Sequence, residues 1–387
     1  MTGSFDVAVI GGGPAGCATA LSLRLSFPEL SVLLLEGGDY SAYRAGEILP
    51  PAANGLLRHL GVYDSVSEAI HFGQTGGQIS GRAGVQAIPS RAVSSAWGSA
   101  RLAQNHAIFS AIGGGWHLNR NLFDAMLAGQ CETRGVHLLL NTSVRGAGWG
   151  TVRFADGWVL QTNIASFGAR FVVDATGRTA AFARLQGARL KVHDRLTSYT
   201  RVITGSDTDV AETLVEAAPQ GWWYTAPIPG GRRVVSYMTD ADIGRDAGLP
   251  SIHVWMKLLN ATEHVRQAVG KGHSAQDCMV RPAATSHLDH VCGVGWLAVG
   301  DASAAFDPLA AQGITKAMRN GILASYAAAD SLLGREAQAA ERYSSILDNQ
   351  FAAYQRAHRK HFALERRWAD SPFWSRRQTA PLVEGAA

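Results

Sequence analysis

The chain opens on a segment with few alternative folds. Phe5-Asp6-Val7-Ala8-Val9-Ile10 runs straight into Gly11-Gly12-Gly13-Pro14-Ala15-Gly16, and a helical pattern of Ala18, Leu21 and Leu25 follows. Gly11, Gly13 and Gly16 fill a G-x-G-x-x-G turn in strand–turn–helix context. The first glycine permits the tight turn, the second lets a pyrophosphate approach the backbone, and the third lets helix pack on strand. Pro14 and Ala15 stand at the helix start, where free N–H groups and the positive dipole end favour phosphate. A second strand, Ser31-Val32-Leu33-Leu34-Leu35, ends in Glu36-Gly37, with Glu36 20 residues beyond Gly16. A carboxylate at that distance is expected on an adenosine ribose without a 2′-phosphate. The motif predicts a Rossmann-like α/β domain and a dinucleotide, and leaves NAD and FAD open.

The 387 residues exceed one average domain and can bury a substantial core. At 47% hydrophobic and 17% charged, the composition excludes a disordered chain. No apolar run reaches the roughly 18 residues of a membrane helix, and so early a strand leaves no room for a removable leader. Cys17, Cys131, Cys278 and Cys292 lie far apart, without metal-ligand or redox-pair spacing. No metal is expected, and the cytosol is the expected compartment. The mild net charge of +4 comes mostly from arginine, with no pattern of a nucleic-acid footprint.

Later segments choose the cofactor. Phe171-Val172-Val173-Asp174-Ala175-Thr176-Gly177 is a strand ending in a small-residue turn, and Trp296-Leu297-Ala298-Val299 is another, ending in Gly300-Asp301. Phe306-Asp307-Pro308-Leu309-Ala310-Ala311-Gln312-Gly313-Ile314 then leads into a helix through Tyr326. On these residues the chain resembles the flavoprotein family that includes aromatic hydroxylases and flavin-dependent tryptophan halogenases. The resemblance implies FAD. Asp301 would hydrogen-bond the ribityl chain, and the turn from Asp307 and Pro308 to Gly313 and Ile314 would lie against the pyrimidine edge. Backbone N–H groups and a helix dipole there favour negative charge on reduced flavin. Arg44-Ala45-Gly46-Glu47 resembles the family's R-x-G-E segment beside the flavin. Arg120 matches its helix-opening arginine, and Val144 falls where a backbone contact to adenine is usual. Gly293-Val294-Gly295-Trp296-Leu297-Ala298 fits a loose G-x-G-x-x-A but runs into a strand, so it reads as a turn.

Gly221-Trp222-Trp223-Tyr224-Thr225-Ala226-Pro227 is similar to the G-W-x-W-x-I-P segment of the halogenases, with departures at Tyr224 and Ala226. Those halogenases hold a hypohalous oxidant on a lysine early in the chain, whereas no lysine precedes Lys191 here. Arginine is no substitute, because its pKa stays too high. The expectation is therefore a monooxygenase that uses O2 as co-substrate to place OH on an electron-rich ring. Trp116, Trp222, Trp223 and Tyr224 are the expected walls of its dry pocket, and Glu47 and His117 the candidate acid–base groups.

With the ending Arg366-Arg367-Trp368-Ala369-Asp370-Ser371-Pro372-Phe373-Trp374, these motifs look most like the maturation flavoproteins that oxidise a peptidyl tryptophan to a tryptophylquinone. That resemblance implies an indole substrate in a peptide or protein partner. The reductant is left open between NAD(P)H, a separate flavin reductase and free reduced flavin. A halogenase of small aromatics, a reductase of isoprenoid-reductase type and a non-catalytic docking flavoprotein are the alternatives. The FAD-binding segments are expected at 1–73, 100–182 and 290–335. Segments 74–99 and 183–289 are expected to form a second, mainly antiparallel sheet, and 336–387 a C-terminal helical segment.

Overall fold

The structure is a computed structural model that describes residues 3–378, except 75–77, 80–81, 84, 91, 107–113, 153–154, 209, 211 and 275–276. Its first strand, Gly3–Ile10, pairs in parallel with Val32–Leu35 on one side and Ser166–Asp174 on the other. His137–Leu139 extends this sheet beyond Val32–Leu35, and Trp296–Ala298 adds a parallel strand beside Ser166–Asp174. An antiparallel hairpin, Val144–Val152 with Ala155–Thr162, continues it. Parallel strands covered on both faces read as unbroken apolar runs, and Val7–Ile10 and Val32–Leu35 are buried throughout. The helices Pro14–Ser26 and Gly313–Leu333 pack on each other above the sheet. Gly321 permits that approach, since a Cβ there would sit 2.6 Å from the Ala15 carbonyl oxygen. Gly295, at φ +66°, turns the hairpin between Cys292–Gly293 and Trp296–Ala298, so the second glycine-rich segment is a turn.

The second sheet runs His273–Ser274, Leu196–Thr204, Arg232–Asp240, Gly221–Ile228, Thr213–Ala218, Ala92–Ala96, Ala103–His106. Its pairings are antiparallel except that between Thr213–Ala218 and Ala92–Ala96. The β-branched run at 199–204 lies inside one of its central strands. Ala103–His106 belongs to this sheet, so the boundary expected at residue 100 falls between two paired strands. One face buries Tyr199, Trp223 and Tyr237 beneath the helix Ile252–Asn260, which contributes Trp255.

The aromatic residues of the ending pack on the body. Tyr354, on the helix Ala339–Phe362, stacks on Phe306 with ring centroids 4.0 Å apart. Phe362, Phe373 and Trp374 are buried against Trp222. Among the described residues no helix is long and apolar enough to cross a membrane.

Candidate active site

The N-termini of the helices Pro14–Ser26 and Gly313–Leu333 open into one cleft of about 770 Å³, which the second sheet walls from the other side. Gly11 takes φ +111°, and a Cβ on it would collide with the Ala175 carbonyl oxygen. A Cβ on Gly16 would run into the carbonyl oxygen of Gly11, which is the close helix–strand contact the third glycine allows. Gly13 differs: a Cβ there would meet nothing within 4 Å. The helix behind it has no side-chain cap and no acid in its first turn, so its N–H groups face open space.

Glu36 ends its strand at the cleft. Its Oε2 accepts from Gly12 N at 2.8 Å, and Oε1 from Gly38 N and Arg44 Nη2, each at 2.9 Å. Arg44 also reaches Asp124, 3.2 Å away, and Arg120 makes its own pair with Asp124 at 3.1 Å. Arg120 Nη1 donates to the carbonyls of Ala45 and Gly46. Asp124 thus ties both arginines to the R-x-G-E loop. Sequence reasoning did not assign it a role, although its i,i+4 spacing from Arg120 was the available signal.

At the far end Asp307 Oδ1 caps the turn at Leu309 N, 2.9 Å away, while Oδ2 lies 3.0 Å from His358 Nε2. Asp301 lines the cleft and is held by Lys316, whose Nζ lies 2.8 Å from Oδ1. Burial pushes the Asp301 carboxyl up, but Lys316, Arg178 and Arg120 together hold it below its ordinary value. Lys316 and Arg178 also line the cleft and were not singled out from the sequence.

Of the expected cofactor residues, Gly11, Gly13, Pro14, Ala15, Glu36, Gly37, Arg44, Gly46, Glu47, Arg120, Val144, Thr176, Gly177, Asp301, Asp307, Pro308, Gly313 and Ile314 line this one cleft. Gly16, Asp174 and Gly300 stand behind it. The Asp174 carboxylate accepts from Thr176 N, Thr176 Oγ1 and Ala183 N, so it fixes the turn after its strand. Gly300, at φ +65°, leaves room for Ala15.

The substrate side departs further from expectation. Tyr224 alone of the four expected wall aromatics lines the cleft. Side chains alternate along a strand, so Trp223 points to the opposite face, onto Tyr237 and Trp255. Trp222 shares the face of Tyr224 but is covered by Phe362 and Trp374, and is 0% exposed. Trp116 packs against the main core. His117 is fully buried with Nε2 2.8 Å from Thr213 Oγ1, away from the cleft. Burial, with Arg233 nearby, pushes its imidazole down to about 4. Glu47, in contrast, faces the cleft between two phenols. Tyr43 Oη donates to Oε1 at 2.5 Å, and Tyr224 Oη lies 3.4 Å from Oε2. Burial and then the Glu47 charge push both phenols above their ordinary value. Tyr43 was not anticipated.

The residues present fit FAD. An uncapped helix N-terminus with open space at Gly13 suits a pyrophosphate, and Glu36 closes the same end. At the other end Gly313, where a Cβ would again meet nothing within 4 Å, opens a second uncapped helix. Fold and cleft together define an FAD-dependent oxidoreductase. The profile of the tryptophan halogenase family matches residues 78–387, and the chain belongs to that family. It is 28% identical, over 99% of its length, to LodB of Marinomonas mediterranea, described as an FAD-dependent oxidoreductase and covered over 100% of its own length. The structure of the myxobacterial chondrochloren halogenase CndH superposes with a TM-score of 0.83 at 19% identity, over 98% of this chain and 87% of that one. The peptidyl tryptophan dihydroxylase QhpG, essential for tryptophylquinone cofactor biogenesis, superposes with a TM-score of 0.71 at 22% identity, over 99% and 80%.

Proposed function

We propose that the chain hydroxylates an aromatic ring with dioxygen, and that the ring is the indole of a tryptophan in a peptide or partner protein. The observation that carries this reading is the condition of the cleft's lysine. Halogenases of the kind the chain resembles need a lysine amine to hold the oxidant, and no lysine precedes Lys191. Lys316 is the one lysine among the described residues that line the cleft, and its ammonium is bound to Asp301 with its side chain 6% exposed. A buried, ion-paired ammonium is a poor nucleophile. A peptidyl substrate is supported by the motifs at Arg44–Glu47, Asp307–Ile314 and Arg366–Trp374, and by the likeness to QhpG.

FAD, when bound, accepts electrons and passes them to dioxygen. The chain's own part is to hold the ring, exclude water and manage the proton that the ring loses on hydroxylation. Glu47 is suited to take that proton. Tyr43 occupies Oε1, so Oε2 is left on the side of Tyr224, where a proton arrives directly or through the phenol.

Halogenation is the second reading, supported by the family and by the fold of CndH. The two separate in one experiment. Reduced holoprotein is mixed with isotopically labelled dioxygen and a tryptophan-containing peptide, with chloride and bromide present or omitted. One labelled oxygen in the product under both conditions is expected. A halogenated product that vanishes without halide would overturn hydroxylation, and a product without oxygen from dioxygen would point to a reductase.

A further inference from the structure

The cleft wall on the second sheet is mainly a shelf of hydroxyl groups, with the Tyr224 phenol as its one aromatic ring among the described residues. Strand register sets Tyr224, Ser236 and Thr200 side by side across three strands, and Met238, Ser198 and Arg281 in the next row. Residues directly opposite in antiparallel strands share a face, and all six line the cleft. Thr200 Oγ1 and Ser236 Oγ lie 2.6 Å apart, so one of their two hydroxyl hydrogens is used between them and the other can reach a ligand. Ser198 directs its hydroxyl to the Arg281 carbonyl at 3.3 Å.

Arg281 ends its row, exposed, and its guanidinium has no hydrogen-bond or ion-pair partner among the described residues. The other arginines of the cleft are all committed. Arg44 holds Glu36 and Asp124, Arg120 holds Asp124 and two loop carbonyls, and Arg178 holds the carbonyls of Ala284 and Phe306. One free guanidinium therefore faces the substrate half of the cleft, beyond a hydroxyl shelf that starts at Tyr224.

We infer that Arg281 is a specificity residue that grips a carboxylate of the substrate. The guanidinium fork matches a carboxylate in two places, and Ser198, Thr200 and Ser236 give the connecting atoms neutral partners on the way to the ring. This rests on reading the cleft as an aromatic-oxidation site, and it assigns that substrate an acidic group, either a free carboxyl terminus or an acidic side chain next to the ring.

The test is ligand binding to the holoprotein, read from the perturbation of its visible flavin absorbance. N-acetyltryptophan is compared with its amide for a terminal carboxylate, and the blocked dipeptides Trp-Glu and Trp-Gln for a side-chain one. Benzoate and benzamide carry the same comparison without an indole. At least one acid should bind about tenfold tighter than its amide. Arg281→Gln should abolish that preference while leaving FAD affinity unchanged, and Arg281→Lys should restore part of it. Equal binding of acid and amide, no binding of any acid, or a preference that survives Arg281→Gln overturns the assignment. A comparable loss of FAD affinity in Arg281→Gln overturns it as well, because Arg281 would then serve the cofactor's phosphates. A benzoate preference lost in Arg281→Gln stands even where no indole is hydroxylated. Indole turnover without any acid preference removes Arg281 alone.

Discussion

The ammonium of Lys316 sits 2.8 Å from the Asp301 carboxylate and 4.2 Å from the centre of the Phe306 ring, and also donates to the carbonyl of Ala304. One buried cation thus joins the Gly-Asp turn to the helix that follows the proline turn. It keeps Asp301 ionised in a site where burial alone would favour the neutral acid.

Lys316→Met should weaken FAD binding roughly tenfold to a hundredfold, the scale of a lost charged hydrogen bond of about 1.5–3 kcal/mol. Its sharper signature is in pH. With Lys316 gone the Asp301 carboxyl rises, so FAD affinity should begin to fall at a higher pH in the variant than in the parent. Superimposable pH profiles of FAD affinity would show that Lys316 does not hold Asp301 ionised.

Gly13 tests where the cofactor lies. Its φ of −78° suits any residue, and an added Cβ would meet nothing within 4 Å. Gly13→Ala should therefore leave the melting temperature of the FAD-free protein unchanged. FAD affinity should nevertheless drop, and Gly13→Asp should abolish it, because a carboxylate would occupy the phosphate position at the helix N-terminus. Unchanged FAD affinity in both variants would move the pyrophosphate elsewhere.

Glu47→Gln keeps the shape of the side chain and removes its charge. Loss of a positioned base costs about a hundredfold to ten-thousandfold in rate. The fall should appear in kcat with KM for the peptide little changed, and flavin reduction should proceed as before. A full-rate Gln variant would leave Glu47 a structural residue of the loop.

How far the sequence carried depends on whether a role belongs to backbone or to packing. Spacing along one strand–turn–helix unit was enough to place Gly11, Gly13 and Glu36 together at one cleft, with Gly16 in the close helix–strand contact behind it. Asp307, Pro308, Gly313 and Ile314 line the same cleft, but they were singled out through the resemblance to the flavoprotein family and not through spacing. Trp222 and Trp223 were not legible, since their environment is set by other elements: by the chain's ending, more than a hundred residues on, for Trp222, and by the helix Ile252–Asn260 for Trp223. The ending supplies Phe362 and Trp374 over Trp222, and the Ile252–Asn260 helix, on a face that strand alternation reserves for Trp223, supplies Trp255. Tyr43 and Arg281 escaped notice because neither stands in a motif. Tyr43 stands out through a 2.5 Å contact to Glu47, and Arg281 through a guanidinium with no hydrogen-bond or ion-pair partner among the described residues.

His117 makes a prediction about acid stability. Its folded value of about 4 lies below the ordinary 6.5, so between those values the unfolded chain binds a proton that the folded chain refuses. The stabilisation is complete above about pH 6.5 and is lost as pH falls towards 4. From about pH 7.5 to pH 5, this residue should cost roughly 2 kcal/mol. His287, also lowered to about 4, remains in the variant and adds in the same direction. Urea unfolding of His117→Gln should show a smaller loss over this range by about that amount. Equal losses would mean that His117 is not held neutral.

Asp240, 1% exposed, receives Arg377 Nη2 at 2.6 Å and Arg376 Nη1 at 2.8 Å, which pins the helix Pro372–Gln378 to the second sheet. Arg377 is buried too, stacked 3.8 Å from the centre of the Phe373 ring. A buried pair adds little over an apolar replacement, but removing one partner leaves an unpaired buried charge worth about 3–5 kcal/mol. Arg377→Met should therefore lower stability strongly in urea unfolding, moderated by Arg376. Adding Asp240→Asn removes the stranded charge, so the double variant should be more stable than Arg377→Met alone. If the two losses simply add, the carboxylate is not dependent on Arg377, and the ending is held to the sheet by its aromatic packing.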